Sequence, residues 1–143
     1  MRKKEPGRWF AEIETKVEFY DLDPMNIVWH GRYVKYLEMV RCALLEQIGY
    51  NYPQMKESGY AWPIIDMHLR YAGSATFGQV LKLRAEIVEW ENRLKIVYLI
   101  SDAATGKRLN KASTTQVAVE LANGEMCFVS PPVLLQKLGI ATP

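Results

Sequence analysis

The 143-residue sequence has few cysteines and no concentration of charge of one sign. Its two cysteines, Cys42 and Cys127, lie far apart and have no metal-type spacing, so we expect two buried thiols in a reducing, cytosolic compartment. The net charge is +2 and there is no long basic run, which argues against a dedicated nucleic-acid-binding protein.

Long hydrophobic runs are also missing. No stretch reaches the ~18 apolar residues of a membrane span, and no apolar segment follows the charged N-terminus as it would in a signal peptide. Residues 1–8 are predicted to form a loose arm. The composition of the whole chain, 49% hydrophobic and 24% charged, is typical of a globular protein. We therefore expect a single cytoplasmic domain over residues 1–143.

The hydrophobic pattern predicts an α+β fold. Residues 11–20 alternate as a half-buried strand, with Ile13, Thr15, Val17 and Phe19 on one face. Apolar residues at three- and four-residue spacings predict a long helix over 32–48, ended by Gly49. Further predicted elements are a short helix at 52–58, strands at 61–75, 79–90, 94–102 and 108–121, a sheet extension at 124–129, and a last helix at 131–138.

This order predicts a sheet that curls around the long helix, because one helix cannot otherwise cover five strands. Asn92-Arg93 and Thr105-Gly106-Lys107 supply the hairpin turns between consecutive strands. The sheet would retain an open face and an open edge, which dimerisation would cover.

The most informative segment runs from Tyr20 to Tyr33, where a predicted strand meets the long helix. Asp23 before Pro24 reads as an N-cap followed by the first residue of a short helical turn. His30 follows at the start of the long helix, where backbone N–H groups are unpaired. A carboxylate facing such donors is suited to acyl transfer.

Residues 19–41 resemble the 4-hydroxybenzoyl-CoA thioesterase group of hot-dog fold acyl-CoA thioesterases. The matching residues are Asp21-Leu22-Asp23-Pro24, Ile27-Val28-Trp29-His30, Tyr33, Tyr36, Glu38 and Arg41. The resemblance implies a hot-dog fold, in which a five-stranded antiparallel sheet wraps a long central helix. It also implies a homodimer or a dimer of dimers (a homotetramer), with sites at subunit interfaces and the CoA tail on a neighbouring chain.

By the same resemblance, Asp23 is the catalytic carboxylate and the backbone N–H near His30 polarises the thioester carbonyl. The His30 side chain is a second candidate for that polarising role. Two positions depart from the family pattern: Asn26 stands where many members have glycine, and Glu91-Asn92 stands where some relatives have a basic pair, with Arg93 and Lys95 nearby.

The remaining candidates support or line the site. Asp21 is expected to orient the junction, and Glu38 and Arg41, three residues apart on one helix, are expected to pair. Candidate substrate-binding residues are Ile27, Trp29, Gly31, Tyr33, Trp62 and Tyr71. The small residues Gly73-Ser74-Ala75-Thr76 offer a path for a pantetheine arm, and His68 is expected on a surface.

The predicted function is therefore hydrolysis of an acyl-CoA or acyl carrier protein thioester. Asp23 would act as nucleophile or as general base, and the residues leave both roles open. CoA would enter as part of the substrate and no separate cofactor is expected. No His, Cys and Asp residues have metal-ligand spacing, so no metal is expected. The alternatives are a hot-dog β-hydroxyacyl dehydratase or hydratase, and a non-catalytic acyl-thioester binding module.

Overall fold

A long helix packed on a curved sheet forms the centre of the computed structural model, which describes residues 8–141. The arm predicted at residues 1–8 lies outside the described residues except for Arg8. The helices are Arg32–Gln47 (α1), Tyr52–Glu57 (α2) and Pro132–Lys137 (α3). The strands are Phe10–Lys16 (β1), Tyr60–Ala61 (β2), Ile64–Tyr71 (β3), Val80–Glu89 (β4), Leu94–Asp102 (β5), Arg108–Gln116 (β6) and Val119–Glu120 (β7).

The five longer strands form one antiparallel sheet in the order β1-β4-β5-β6-β3. Alternate residues of β4 and β5 are buried, as a sheet with one covered face requires; they are Leu81, Leu83, Ala85, Ile87, Leu94, Ile96, Tyr98 and Ile100. Together with α1 they form the hydrophobic core. The predicted hot-dog architecture, a central helix wrapped by five antiparallel strands, is confirmed.

Helix α1 forms where the apolar spacing predicted it. Its buried residues, Tyr33, Tyr36, Leu37, Val40, Leu44 and Leu45, recur at three- and four-residue intervals and make one buried stripe. The helix ends because Gly49 adopts a left-handed φ of 72° and Tyr50 N–H turns back to the Leu45 carbonyl at 2.9 Å. The predicted end of this helix is therefore confirmed.

Several predicted strands are shorter than the sequence pattern indicated. The strand at 11–20 stops at Lys16, and Phe19–Asp21 forms a 3-10 turn that leaves Phe19 largely exposed. The run at 61–75 divides into β2 and β3. The run at 108–121 divides into β6 and β7, and β7 pairs with β2 in a separate two-stranded sheet. The predicted strands were too long because the apolar alternation of the sequence continues into the connecting loops, which also pack on the core.

Three local predictions were wrong. Residues 124–129 do not extend the sheet, since they close a turn in which only Met126 forms a bridge, to Val119. Pro24 does not begin a helical turn, because residues 23–27 form a tight loop between the bridged residues Leu22 and Val28. Cys42 and Cys127 are free, as expected, but neither is buried: Cys42 is exposed and Cys127 is half-buried.

Candidate active site

A cleft of about 390 Å³ lies beside the loop that joins β1 to α1. Residues of that loop form one wall, and the end of β3 with the residues after it forms the other. The backbone N–H of Val28 donates to the carbonyl of Ala75 at 2.9 Å, which holds the two walls together. The cleft is lined by Asp23, Met25, Ile27, Val28, His30, Tyr33, Tyr71, Ala72, Gly73 and Ser74.

Asp23 is half-buried at the start of a tight loop. Its N–H donates to the Ile27 carbonyl and its own carbonyl accepts from the Asn26 N–H, both at 2.9 Å. Its Oδ1 accepts from the Met25 N–H at 2.8 Å, an arrangement typical of an Asx-turn. Within residues 8–141, the hydrogen bonds to this carboxylate reach Oδ1 and leave Oδ2 for a ligand in the cleft.

Asn26 allows this loop to close. Its φ is 64°, in the left-handed region that non-glycine residues seldom adopt but that asparagine tolerates. The departure from the family's glycine at this position is therefore conservative for the backbone. The loop keeps Asp23 at the edge of the cleft without a helical cap.

Asp21 anchors the junction from inside. Only 5% of it is exposed, and its Oδ1 accepts from the Arg32 Nε at 2.6 Å while Oδ2 accepts from the Glu18 N–H at 2.8 Å. Its carbonyl also accepts from the Trp29 N–H at 3.0 Å. One residue thus ties the 3-10 turn, the loop and the first turn of α1 together. The side chain does not line the cleft of Asp23.

His30 lies two residues before α1 and lines the cleft with an exposed side chain. Its carbonyl accepts from the Tyr71 Oη at 2.7 Å, which fixes the orientation of the peptide unit before Gly31. Among the backbone hydrogen bonds of residues 8–141, none has the N–H of His30 or Gly31 as its donor. These two N–H groups are therefore available to a ligand near the positive end of the helix dipole.

Three tyrosines form the side of the site that adjoins the core. The rings of Tyr33 and Tyr71 meet edge to face with centroids 5.4 Å apart, and Tyr33 meets Tyr36 in the same way at 5.8 Å. Burial raises the pKa of Tyr33, and the nearby Tyr71 adds to the shift. Burial also raises the pKa of Tyr36, with a further contribution from the Asp21 carboxylate. Both phenols are therefore neutral at physiological pH.

A second and larger cavity, of about 640 Å³, has none of its lining residues in common with the Asp23 cleft. It contains Trp62, whose Nε1 donates to the Tyr50 Oη at 3.1 Å. Glu38 and Arg41 form an ion pair at its rim. Within one chain, the structure thus separates these three predicted site residues from Asp23.

The other predicted residues divide in the same way. Ile27, Tyr33 and Tyr71 line the cleft, whereas Trp29 and Gly31 lie just outside it. Trp29 is 51% exposed, with its ring centroid 5.5 Å from that of His30. His68 is exposed on β3, as expected.

Two contacts of the site were not predicted from the sequence. Arg32 binds Asp21 across eleven positions of chain, and Tyr71, a candidate substrate-binding residue, also donates a hydrogen bond to the His30 carbonyl. Neither spacing is periodic, so no sequence signal pointed to these contacts.

The described part of the chain, residues 8–141, contains no group of three His, Cys, Asp or Glu side chains placed to hold a metal ion. None of its helices is long and apolar enough to cross a membrane.

The family model described as the thioesterase-like superfamily matches residues 17–138. A putative esterase of Synechocystis, sll0410, is 28% identical over 92% of this chain and 79% of its own length. A putative acyl-CoA thioesterase of Bacillus subtilis, YneP, is 29% identical over 62% of this chain and 63% of its own. A solved 4-hydroxybenzoyl-CoA thioesterase is similar in fold, with a TM-score of 0.78 and 18% identity over 91% of this chain and 99% of that one.

Proposed function

Because the chain belongs to the thioesterase-like superfamily, we propose that it hydrolyses an acyl-CoA thioester in the cleft of Asp23. The resemblance inferred from residues 19–41 is confirmed by the family match and by the hot-dog fold of the similar structures. The observation that supports this site is a cleft lined by a half-buried carboxylate and by His30, with Gly31 directly beside it. Within residues 8–141, the backbone N–H groups of His30 and Gly31 donate no backbone hydrogen bond.

The proposed chemistry has two parts. The N–H groups of His30 and Gly31 donate to the thioester carbonyl oxygen and stabilise the negative charge that develops there. The free Oδ2 of Asp23 either attacks the carbonyl carbon, giving a mixed anhydride and releasing the CoA thiolate, or takes a proton from a water that attacks instead. In the first route a water then cleaves the anhydride. Both routes yield a free acid and a thiol without a metal.

The structure around Asp23 supports a role for its position as well as its charge. The loop closed by Asn26 fixes the position of Asp23, and the Asp21–Arg32 ion pair fixes the start of α1 beside His30 and Gly31. Preorganised donors and a fixed carboxylate avoid reorganisation during the reaction. Asp21, Arg32 and Tyr71 are therefore proposed as positioning residues rather than catalytic residues.

The test is release of free thiol from a panel of acyl-CoAs. We expect wild-type protein to hydrolyse at least one member, and Asp23→Asn to lower kcat by about 100-fold or more, the scale of a lost acid–base or nucleophilic group. Glu57→Gln, an exposed carboxylate on α2, is the matched control and should retain wild-type kcat.

Three results would contradict the proposal. Equal kcat for Asp23→Asn and wild type would remove Asp23 as the catalyst. Addition of water to an enoyl-CoA without thiol release would favour a hydratase. Tight binding of acyl-CoA with neither reaction would favour a binding module.

A further inference from the structure

Four exposed basic residues lie at one end of the sheet, beside the cleft. Arg70 is on β3, and Lys107, Arg108 and Lys111 are on β6 or in the turn before it. We call Arg70, Lys107, Arg108 and Lys111 the basic patch. It is separate from Arg93 and Lys95, which flank the β4–β5 turn where some relatives have a basic pair.

Ion pairs within residues 8–141 of a single chain do not neutralise this patch. Within residues 8–141, none of its four side chains forms an ion pair, whereas Lys82, Arg84 and Arg93 all do. Arg70 and Lys111 are directly opposite each other in the β3–β6 pairing. Like charges in that arrangement destabilise a sheet, so this placement is unfavourable for folding alone.

The acids that are closest in the chain do not offset the charge. Asp66, on the same face of β3, is four residues from Arg70, or about 13 Å along the strand. Asp102, in the same hairpin as Lys107, accepts hydrogen bonds from the N–H groups of Ala104 and Thr105 and from the Gln79 Nε2. These hydrogen bonds, first that from Thr105, lower the pKa of Asp102. Its carboxylate therefore stabilises the turn.

Direct contacts join the patch to the wall of the cleft. The N–H groups of Ala72 and Gly73, which line the cleft, both donate to the Leu109 carbonyl at 3.0 Å. The Lys107 side chain runs beside Gly73, since a methyl group placed on Gly73 would lie 3.8 Å from the Lys107 Cε. The Gln79–Asp102 hydrogen bond, at 2.6 Å, holds the hairpin against the same loop.

We propose that the basic patch binds the phosphate groups of the CoA part of the substrate. This inference rests on the proposed function, because it places the thioester at Asp23. From there the neutral pantetheine arm would pass the small residues Ala72, Gly73 and Ser74, and the phosphates would reach the cations beyond them on the same chain. This differs from the position on a neighbouring chain that the resemblance implies. Lysine and arginine are the usual partners of phosphate, through charge-assisted hydrogen bonds.

The test compares two substrates with the same acyl group, one on CoA and one on pantetheine, which has no phosphate. The acyl group is the one that wild type hydrolyses fastest in the CoA panel. For Lys107→Glu/Arg108→Glu we expect KM for the acyl-CoA to rise about tenfold or more, the scale of one lost charge-assisted contact, with kcat retained. KM for the acyl-pantetheine should change by less than about twofold, and added salt should reduce the difference between variant and wild type.

Lys137→Glu is the control, because Lys137 is exposed on α3 and lies near the other edge of the sheet. The next residue, Leu138, accepts a hydrogen bond from Trp9, which directly precedes the edge strand β1. Lys137→Glu should leave both KM values unchanged. A milder variant, Lys107→Gln, should raise KM for the acyl-CoA in the same direction. Thermal unfolding of each variant shows whether it has folded.

The inference is overturned if both KM values change alike, if neither changes, or if only hydrolysis of an acyl carrier protein thioester is impaired. If wild type releases thiol from no substrate, the proposed function fails on its own. Calorimetric binding of free CoA then decides the inference: loss of binding in Lys107→Glu/Arg108→Glu supports it, and unchanged binding overturns it.

Discussion

Asn26 shows how one side chain position determines the geometry of the reacting group. Its left-handed φ closes the loop whose hydrogen bonds fix Asp23 from both ends. The sequence marks this position only as a departure from glycine, and the conformation explains why asparagine can replace it. The carboxylate position is therefore controlled three residues away from the carboxylate.

We predict opposite results for two substitutions at this position. Asn26→Gly keeps the left-handed conformation without strain and should leave stability and kcat near wild type. Asn26→Val places a β-branched residue in this left-handed conformation, which should lower the free energy of unfolding by about 1–2 kcal/mol. If the loop relaxes and moves Asp23 by about 1 Å, kcat should fall by up to about 100-fold. Chemical denaturation and steady-state kinetics on both variants measure the two effects.

The two substitutions act as controls for each other, because both remove the asparagine side chain. A loss of activity in Asn26→Gly equal to that in Asn26→Val would mean that the amide group, rather than the backbone conformation, is required.

At the scale of elements, α1 could be predicted well, but the contacts of α1 and of the loop before it could not. The three- and four-residue periodicity and Gly49 located α1 to within a residue at its C-terminal end. The order along the sequence, in which Asp23 is followed by His30 and then by the helix, also located the cleft. The ion pair of Asp21 with Arg32 and the hydrogen bond of Tyr71 with His30 join positions 11 and 41 residues apart. Such contacts depend on how the elements pack, which a single sequence does not encode as a local pattern.

The errors at the strand ends have a related cause. Val17 continues the alternation of β1 and is fully buried, yet it lies just outside the strand. Its N–H donates to the Gln79 carbonyl, as continued pairing would require, but its carbonyl accepts from the N–H of Gly78, whose φ is 83°, so the regular ladder ends here. Burial alone therefore extended the predicted strand. Asp23-Pro24 misled in a similar way, since the residues that cap helices also form tight turns.

The start of α1 allows a prediction about Trp29. Gly31 has a φ of −70°, which any residue can adopt, but a Cβ added to it would lie 2.5 Å from the Trp29 Cη2. We therefore expect Gly31→Ala to displace the exposed indole without unfolding the protein. If the indole contacts substrate, as the sequence suggested, KM should rise severalfold while kcat and the melting temperature change little.

A double-mutant cycle tests the cause. In a Trp29→Ala background the indole is absent, so adding Gly31→Ala should have no further effect on KM. An equal effect of Gly31→Ala with and without the indole would show that the extra methyl group acts on the neighbouring N–H groups instead.

At the scale of the whole molecule, the two edges of the sheet differ in character. The edge strand β1 carries Glu12, Glu14 and Lys16, and charges of this kind discourage pairing with another strand. The edge strand β3 also carries exposed charges, Asp66 and Arg70, but in addition it presents Ile65, which is 56% exposed, and it ends at Tyr71 in the cleft. β3 is therefore the edge at which we expect the dimer to form.

We predict that the protein is a dimer, or a dimer of dimers, assembled through β3. Light scattering coupled to size exclusion should then give two or four times the 16.5 kDa chain mass.

Ile65→Lys introduces a charge on this edge and should shift the mass towards one chain, because charged edges oppose strand pairing. Val129→Lys, at an exposed apolar position outside both edge strands, is the matched control and should leave the mass unchanged. Because Tyr71 holds His30 and ends this strand, the dissociated variant should also lose thiol-releasing activity on dilution. A wild-type mass of one chain, or an Ile65→Lys protein that stays associated, would place the contact elsewhere or remove it.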